Sequence, residues 1–118
     1  MATVDEAERE LLDLAMARPA DARTRALAEL AARPSPREAT YALHALAIVE
    51  RDVGRMREAR RHLRRGLVLA RRHHLRDRAA DMSATLGSVL AYAGRTAAAM
   101  TAFDEALAGS RGATGAVS

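Results

Sequence analysis

Apolar side chains recur at intervals of three and four along almost the whole chain, the spacing of helices with one buried face. The pattern is sharpest at residues 56–72. There Met56, Ala59, Leu63, Gly66, Leu67 and Ala70 fall on one stripe, and Arg57, Arg60, Arg61, Arg64, Arg65, Arg71 and Arg72 occupy the opposite side. Punctuation divides the rest. Thr3-Val4-Asp5-Glu6 has the form of a capping box, with the Thr hydroxyl accepting from the Glu6 backbone N–H and the Glu side chain reaching back. It predicts a helix to about Ala17, whose stripe is Leu11, Leu12, Leu14 and Ala15 and which Arg18-Pro19 interrupts.

Pro19 suits the first turn of a second helix, carrying Ala22, Ala26, Leu27 and Leu30 to about Ala32. Ser35-Pro36-Arg37-Glu38 combines an N-cap Ser, a first-position Pro and a Glu at the third position, so a third helix starts there and stops near Val53-Gly54. A fourth is expected from about Arg55 to His73, a fifth from about Asp77 to Ala93, and a sixth from about Thr96 to Ala108, ended by Gly109.

Superposing the chain on itself at an offset of forty pairs Leu46 with Leu86, Ala47 with Gly87, and Gly54-Arg55 with Gly94-Arg95. The same offset pairs Ala59 with Ala99, Leu63 with Phe103, Gly66 with Ala106 and Leu67 with Leu107. The order is Leu, small, turn Gly, Ala, large apolar, small, Leu. It resembles the tetratricopeptide repeat, a pair of antiparallel helices. In that family the small residue after the Leu lets two helices cross closely, the Ala lies where they touch, and the large apolar residue fills the space between repeats. From the residues alone, an unrelated helical bundle remains open.

The resemblance covers residues 37 to 109 and implies an all-α, right-handed solenoid of antiparallel helix pairs with a period of about forty. Residues 1–109 would form one domain. It comprises a degenerate capping pair at 4–32 and repeats at 37–73 and 77–108, followed by a flexible tail, or the start of a further repeat, at 110–118. The family's usual period is 34, and the six extra residues are expected in LARRHHLRD, lengthening the second helix. The family's large aromatic near the start of the first helix is replaced by Leu43 and Ser83.

The wording ALHALAIVERDVGRMREARRHLRRGLVLARR followed by LGSVLAYAGRTAAAM is also similar to the N-terminal repeats of large actinobacterial proteins that end in a CHAT domain, a caspase-like peptidase module. That resemblance implies a front segment acting for a distant effector domain. Repeats of similar composition also precede transcription-regulator domains.

The composition agrees with helices. Of 118 residues 49% are hydrophobic, mostly Ala and Leu, with one Phe, two Tyr and no Trp. With no cysteine, disulfides, thiolate metal sites and cysteine nucleophiles are excluded together. The N-terminus MATVDEAERE lacks a signal peptide's basic flank and apolar run, which points to the cytoplasm. All nineteen basic residues are Arg.

Charge is unevenly spread. Ten Arg lie between Arg55 and Arg78 against Glu58 and Asp77, whereas the first helix carries Asp5, Glu6, Glu8, Glu10 and Asp13 against Arg9. Two readings of the Arg run compete: a solvated or internally paired face, partly matched by the acidic first helix, or a footprint for phosphates. No aromatic is interleaved in it to stack bases. His73 and His74 diverge on a helix, and His44 and His62 have no carboxylate partner legible in the sequence, so no metal site is expected. No nucleophile motif, phosphate-binding loop or carboxylate pair is present either, and no catalysis and no cofactor are expected.

The leading functional reading is an interaction module that takes a peptide or helix along its first helices. By resemblance the groove positions are Tyr41, His44, Ile48, Arg51 and Asp52, then Asp81, Ala84, Ser88, Ala91 and Tyr92. The family's chaperone-tail binders use Lys and Asn where His44 and Ile48 stand, so a partner offering apolar and aromatic contact fits better. The sixth helix offers Met100, Phe103 and Leu107 as a stripe too apolar for the polar SRGATGAVS to cover, which points to weak self-association there.

Overall fold

The computed structural model describes residues 3–115, and within them the side chains of all but Val4 and residues 111–115. Among the described residues there are six helices and no strand. They are α1 (Val4–Ala17), α2 (Pro19–Ala31), α3 (Pro36–Asp52), α4 (Met56–Arg72), α5 (Arg76–Tyr92) and α6 (Thr96–Gly115). Both expected capping boxes form: Glu6 N donates to Thr3 Oγ1 and Glu38 N to Ser35 Oγ, and each Glu accepts from its N-cap backbone N–H in return.

The forty-residue period has a simple physical origin. Helices α3, α4 and α5 are each 17 residues long, and each is followed by a three-residue turn. The three turns share one pattern of hydrogen bonds: Arg55 N to Glu50 O, Leu75 N to Ala70 O and Arg95 N to Leu90 O, at 2.8, 2.8 and 2.9 Å. The extra length therefore does not collect in LARRHHLRD, because both helices of the pair are equally long. The middle residue of every turn is left-handed: Gly54 at φ 84°, Gly94 at 76° and His74 at 57°.

Each helix packs on its sequence neighbours, and α1, α3 and α5 also touch in a row, so first helices line one side and second helices the other. Helix α3 contacts α1, α2, α4 and α5 and is buried continuously from Ala39 to Val49. On one flank Ala42, Ala45, Leu46, Ile48 and Val49 share a cluster with Leu11, Ala15, Ala22 and Ala26. A second cluster holds Ala47, Ala59, Leu63, Leu67, Ala70, Met82, Leu86, Val89, Leu90 and Ala99. Ala59 and Ala99 are buried at the crossings, as the repeat pattern requires. Leu27, expected in the stripe of α2, is exposed instead.

Glycines set two further approaches. A β-carbon on Gly87 would lie 2.5 Å from the Phe103 ring, and one on Gly66 would lie 2.6 Å from Met82 Sδ. Phe103 thus lies across Gly87 rather than filling the space between repeats, and it stays 39% exposed.

The sixth helix does not stop at Gly109. Gly109 is helical and sits against α5, where a β-carbon would meet Ala80 Cβ at 3.3 Å, so here glycine serves close approach instead of termination. Residues 110–115 of the expected tail are helical, and residues 116–118 lie outside the described residues.

The turns give the first prediction. Nothing lies within 4 Å of a β-carbon at Gly54 or Gly94, so substitution there changes backbone strain alone. Gly94→Ala should lose about 1 kcal/mol. His74→Gly should gain up to about 1 kcal/mol, the relieved strain exceeding the added chain entropy of glycine. Urea unfolding of the two variants checks both signs.

Candidate functional site

The ten expected groove residues separate into an interior set and a surface set. Tyr41, His44 and Ile48 are buried, so they cannot meet a partner directly. Ile48 belongs to the cluster shared with α1 and α2. Tyr41 and His44 are covered by Arg78, a residue read from the sequence as part of the basic run and in fact fully buried.

Arg78 reaches from α5 onto α3. Its guanidinium carbon lies 3.7 Å from the Tyr41 ring centroid, a cation–π stack. Nε donates to Thr40 Oγ1 at 3.3 Å, Nη1 to Asp81 Oδ2 at 3.1 Å, and Nη2 meets His44 Nδ1 at 2.8 Å. A guanidinium only donates, so His44 Nδ1 must accept. The ring is therefore neutral, with its proton on Nε2, which donates to Thr85 Oγ1 at 2.7 Å. Thr85 Oγ1 in turn donates its hydrogen bond to Asp81 O, and Thr40 Oγ1 donates to Arg37 O. Each of the three Arg78 nitrogens, both His44 ring nitrogens and both threonine hydroxyls thus has a partner. Burial first, then the charges of Arg78 and Arg51, hold the His44 pKa down to about 3. Burial is also the main cause that lowers the Arg78 pKa.

At the outer rim Arg37 joins three helices, donating to Asp5 of α1 at 3.2 Å and to both carboxylate oxygens of Asp77 on α5. The Arg37 hydrogen bond holds Asp77 below the usual carboxylate range. At the far end of the row Arg51 bonds Asp52 at 3.0 Å and Ser88 Oγ at 3.3 Å. What remains open of the groove is Asp52 at the end of α3, with Arg51 half-buried beside it, and, on α5, Asp81, Ala84, Ala91 and Tyr92, with Ser88 half-buried and Tyr92 74% exposed.

Those residues meet the sixth helix. One depression is lined by Ser88, Ala91, Tyr92 and Phe103, and a second by Ala80, Asp81, Ala84, Phe103, Ala106, Leu107 and Ser110. Phe103 forms the wall they share. Leu107 is 55% exposed and Met100 is also exposed. The α5 half of the expected groove and the expected apolar stripe of α6 are therefore one continuous surface, a junction that neither half revealed in the sequence.

The remaining charged groups differ from expectation. His62 is not isolated: its Nδ1 lies 2.7 Å from Glu50 Oε2 on α3. Helix α1 does not touch α4, so its acidic residues do not neutralise the Arg face; Asp5 pairs with Arg37 instead. On α4, among the described residues, Arg71 pairs with Glu105 at 3.5 Å, whereas Arg57, Arg60, Arg61, Arg64, Arg65 and Arg72 have no carboxylate within ion-pair distance. Glu8, counted in the sequence with the acidic residues of the first helix, is buried. The signal for it was present: Glu8 precedes Leu11, Leu12 and Ala15 by three, four and seven positions and so lies on the apolar stripe.

The tetratricopeptide repeat family model matches residues 40–77, which run from the first turns of α3 through α4 to the start of α5. Over that stretch the chain is similar to the tetratricopeptide repeat, a family whose general role is protein–protein interaction, and the all-helical array of packed pairs agrees with that likeness. Neither the curated proteins nor the solved structures yield a match.

The neutral His44 sets a pH dependence. Unfolded, the ring titrates at its ordinary 6.5; folded, at about 3. Between those values the unfolded chain binds a proton that the folded chain refuses, so stability is full above pH 6.5 and is lost as pH falls towards 3. Glu8 and Glu29, whose folded pKa values are raised above 4.5, act oppositely and add stability as pH falls towards 4.5. His44→Gln keeps an acceptor for Arg78 without titrating and isolates the His44 effect. The melting temperature of the wild type relative to His44→Gln should fall between pH 7 and pH 5; parallel curves would contradict the assignment.

Proposed function

We propose that this protein is a non-catalytic adaptor that seats an amphipathic helix or peptide of a partner protein on the surface formed by α5 and α6. The observation that carries this reading is the pair of adjoining depressions sharing Phe103, walled by the exposed Tyr92 on one side and Leu107 on the other. The packing of the array supports it. Helix α3 lies on α1 and α2, and α5 lies on α3 and α4, so the equivalent face of α5 and α6 is shaped for one more helix. Its chemistry selects the occupant: apolar and aromatic contact along Ala84, Ala91, Tyr92 and Phe103, with Asp81 at one end.

A second copy of the chain can present Met100, Phe103 and Leu107 to the same face, which accounts for weak self-association as a competing occupancy. In keeping with the resemblance to repeats that precede CHAT or regulator domains, the module acts in the cytoplasm on behalf of an effector domain in a longer protein. No helix of the described residues is long and apolar enough to cross a membrane.

A second reading is favoured by one observation, the six α4 arginines without an ion-pair partner, which form a cationic face available to nucleic-acid phosphates. Salt separates the readings. Under the adaptor reading, binding to random duplex DNA is negligible at physiological ionic strength; retained binding with a steep loss as salt rises would mark counterion release.

The direct test is fluorescence anisotropy with an amphipathic helical peptide selected against the protein. Tyr92→Ala and Phe103→Asp should each weaken binding at least about tenfold, the scale of a lost aromatic anchor, with little change in melting temperature. Arg57→Glu on the opposite side should leave it unchanged. Light scattering over a concentration series should show mass rising above the monomer, suppressed by Phe103→Asp. Saturable peptidase, esterase or nucleotide hydrolysis by the purified chain would refute the non-catalytic part.

A further inference from the structure

At the other end of the array, three carboxylates converge from three helices: Glu8 of α1, Glu29 of α2 and Glu38 of α3, with one oxygen of each lying within 4.8 Å of the others. Glu8 is only 4% exposed, and both of its carboxylate oxygens are buried without a hydrogen-bond partner. Leaving a buried carboxylate unpaired is costly, and placing two more carboxylates against it adds repulsion. The neighbouring cations are otherwise engaged. Arg25 Nη2 donates to Ala7 O at 3.1 Å, and Arg37 is held by Asp5 and Asp77. Glu38 Oε1 accepts from Ser35 N at 3.0 Å, a single bond that leaves its other oxygen uncommitted.

We infer that Glu8, Glu29 and Glu38 form a binding site for a calcium-sized divalent cation that ties α1, α2 and α3 together. The donor set is all oxygen, with no histidine or thiolate, which suits hard cations over zinc or copper. Coordination geometry discriminates further. Calcium takes about six to eight oxygens in flexible geometry, whereas magnesium demands a near-ideal octahedron and gives up its water reluctantly, so carboxylates brought together by three separate helices suit calcium better. Three carboxylates leave room for water to complete the coordination. Burial, followed by the charges of Glu29, Glu38 and Asp5, raises the Glu8 pKa, so without a cation the cluster is a site of competing protonation.

The test uses the full chain at pH 7.5. Calorimetric titration with calcium chloride should show one site per chain. The melting temperature should rise by at least about 5 °C between EDTA and calcium at a hundredfold excess over Kd. Magnesium should give a smaller rise. Glu8→Gln and Glu29→Gln should both abolish the calcium heat and the shift while remaining folded, since glutamine is isosteric and removes repulsion. Glu10→Gln, on the exposed side of α1, should retain both. The inference is overturned by a wild type without a calcium heat or shift, or by a shift that survives in Glu8→Gln. A wild type that ignores calcium but gains stability on acidification holds a proton there instead, which equally overturns it. Peptide binding at α5 and α6 is measured separately, so either result stands without the other.

Discussion

Everything in this fold is arranged around α3, which is enclosed along its length. A helix can touch four neighbours only if much of its surface is small, and Ala39, Ala42, Ala45 and Ala47 supply that. Close packing to interior density on all sides then leaves each neighbour little freedom of position. Helices α1 and α2 take one flank, α4 and α5 the other. The equal lengths of α3, α4 and α5 follow from the same geometry, because each has to run alongside a neighbour of equal extent before the chain turns back.

Where α3 meets α5 the contact is slight and largely polar. Arg78 supplies its buried centre, joining Thr40, Tyr41 and His44 of α3 to Asp81 of its own helix, with the Arg37–Asp77, His44–Thr85 and Arg51–Ser88 pairs along the same line. Burying a guanidinium is unfavourable by itself, and the network offsets part of what desolvation costs, the Arg78 pKa still falling on balance. Such a network also fixes register, since a shift of either helix would strand several buried donors at once. The same clamp fills the inner groove, and recognition is thereby displaced towards α5 and α6.

The two ends of the array differ in character. At one, α1, α2 and α3 bring carboxylates together beneath an otherwise apolar cluster. At the other, α5 and α6 turn the large apolar side chains of Tyr92, Phe103 and Leu107 towards solvent. Between them α4 carries its arginines outward on the side away from the row of first helices, so charge and apolar contact occupy separate surfaces.

The six helices, both capping boxes, the turn glycines and the forty-residue repeat were all legible in the sequence. The helices, caps and turns each depend on residues within four or five positions of one another, where spacing and backbone preference decide, and the repeat is the recurrence of those local patterns. The apolar stripe of α4 was legible for the same reason. Depth was not. Tyr41, His44 and Arg78 look like surface residues one at a time and become interior only because α5 crosses α3 with Arg78 aimed at them. Glu8 sits on an apolar stripe in the sequence, but only the meeting of α1 with α2 and α3 turns that irregularity into a cluster. Gly109 carries the same residue type as a helix stop, and Ala80 on the facing helix makes it a point of approach instead. Local periodicity determines which face of a helix is buried; what it is buried against, and which polar groups must answer one another there, is decided by partners some twelve to forty-one positions away.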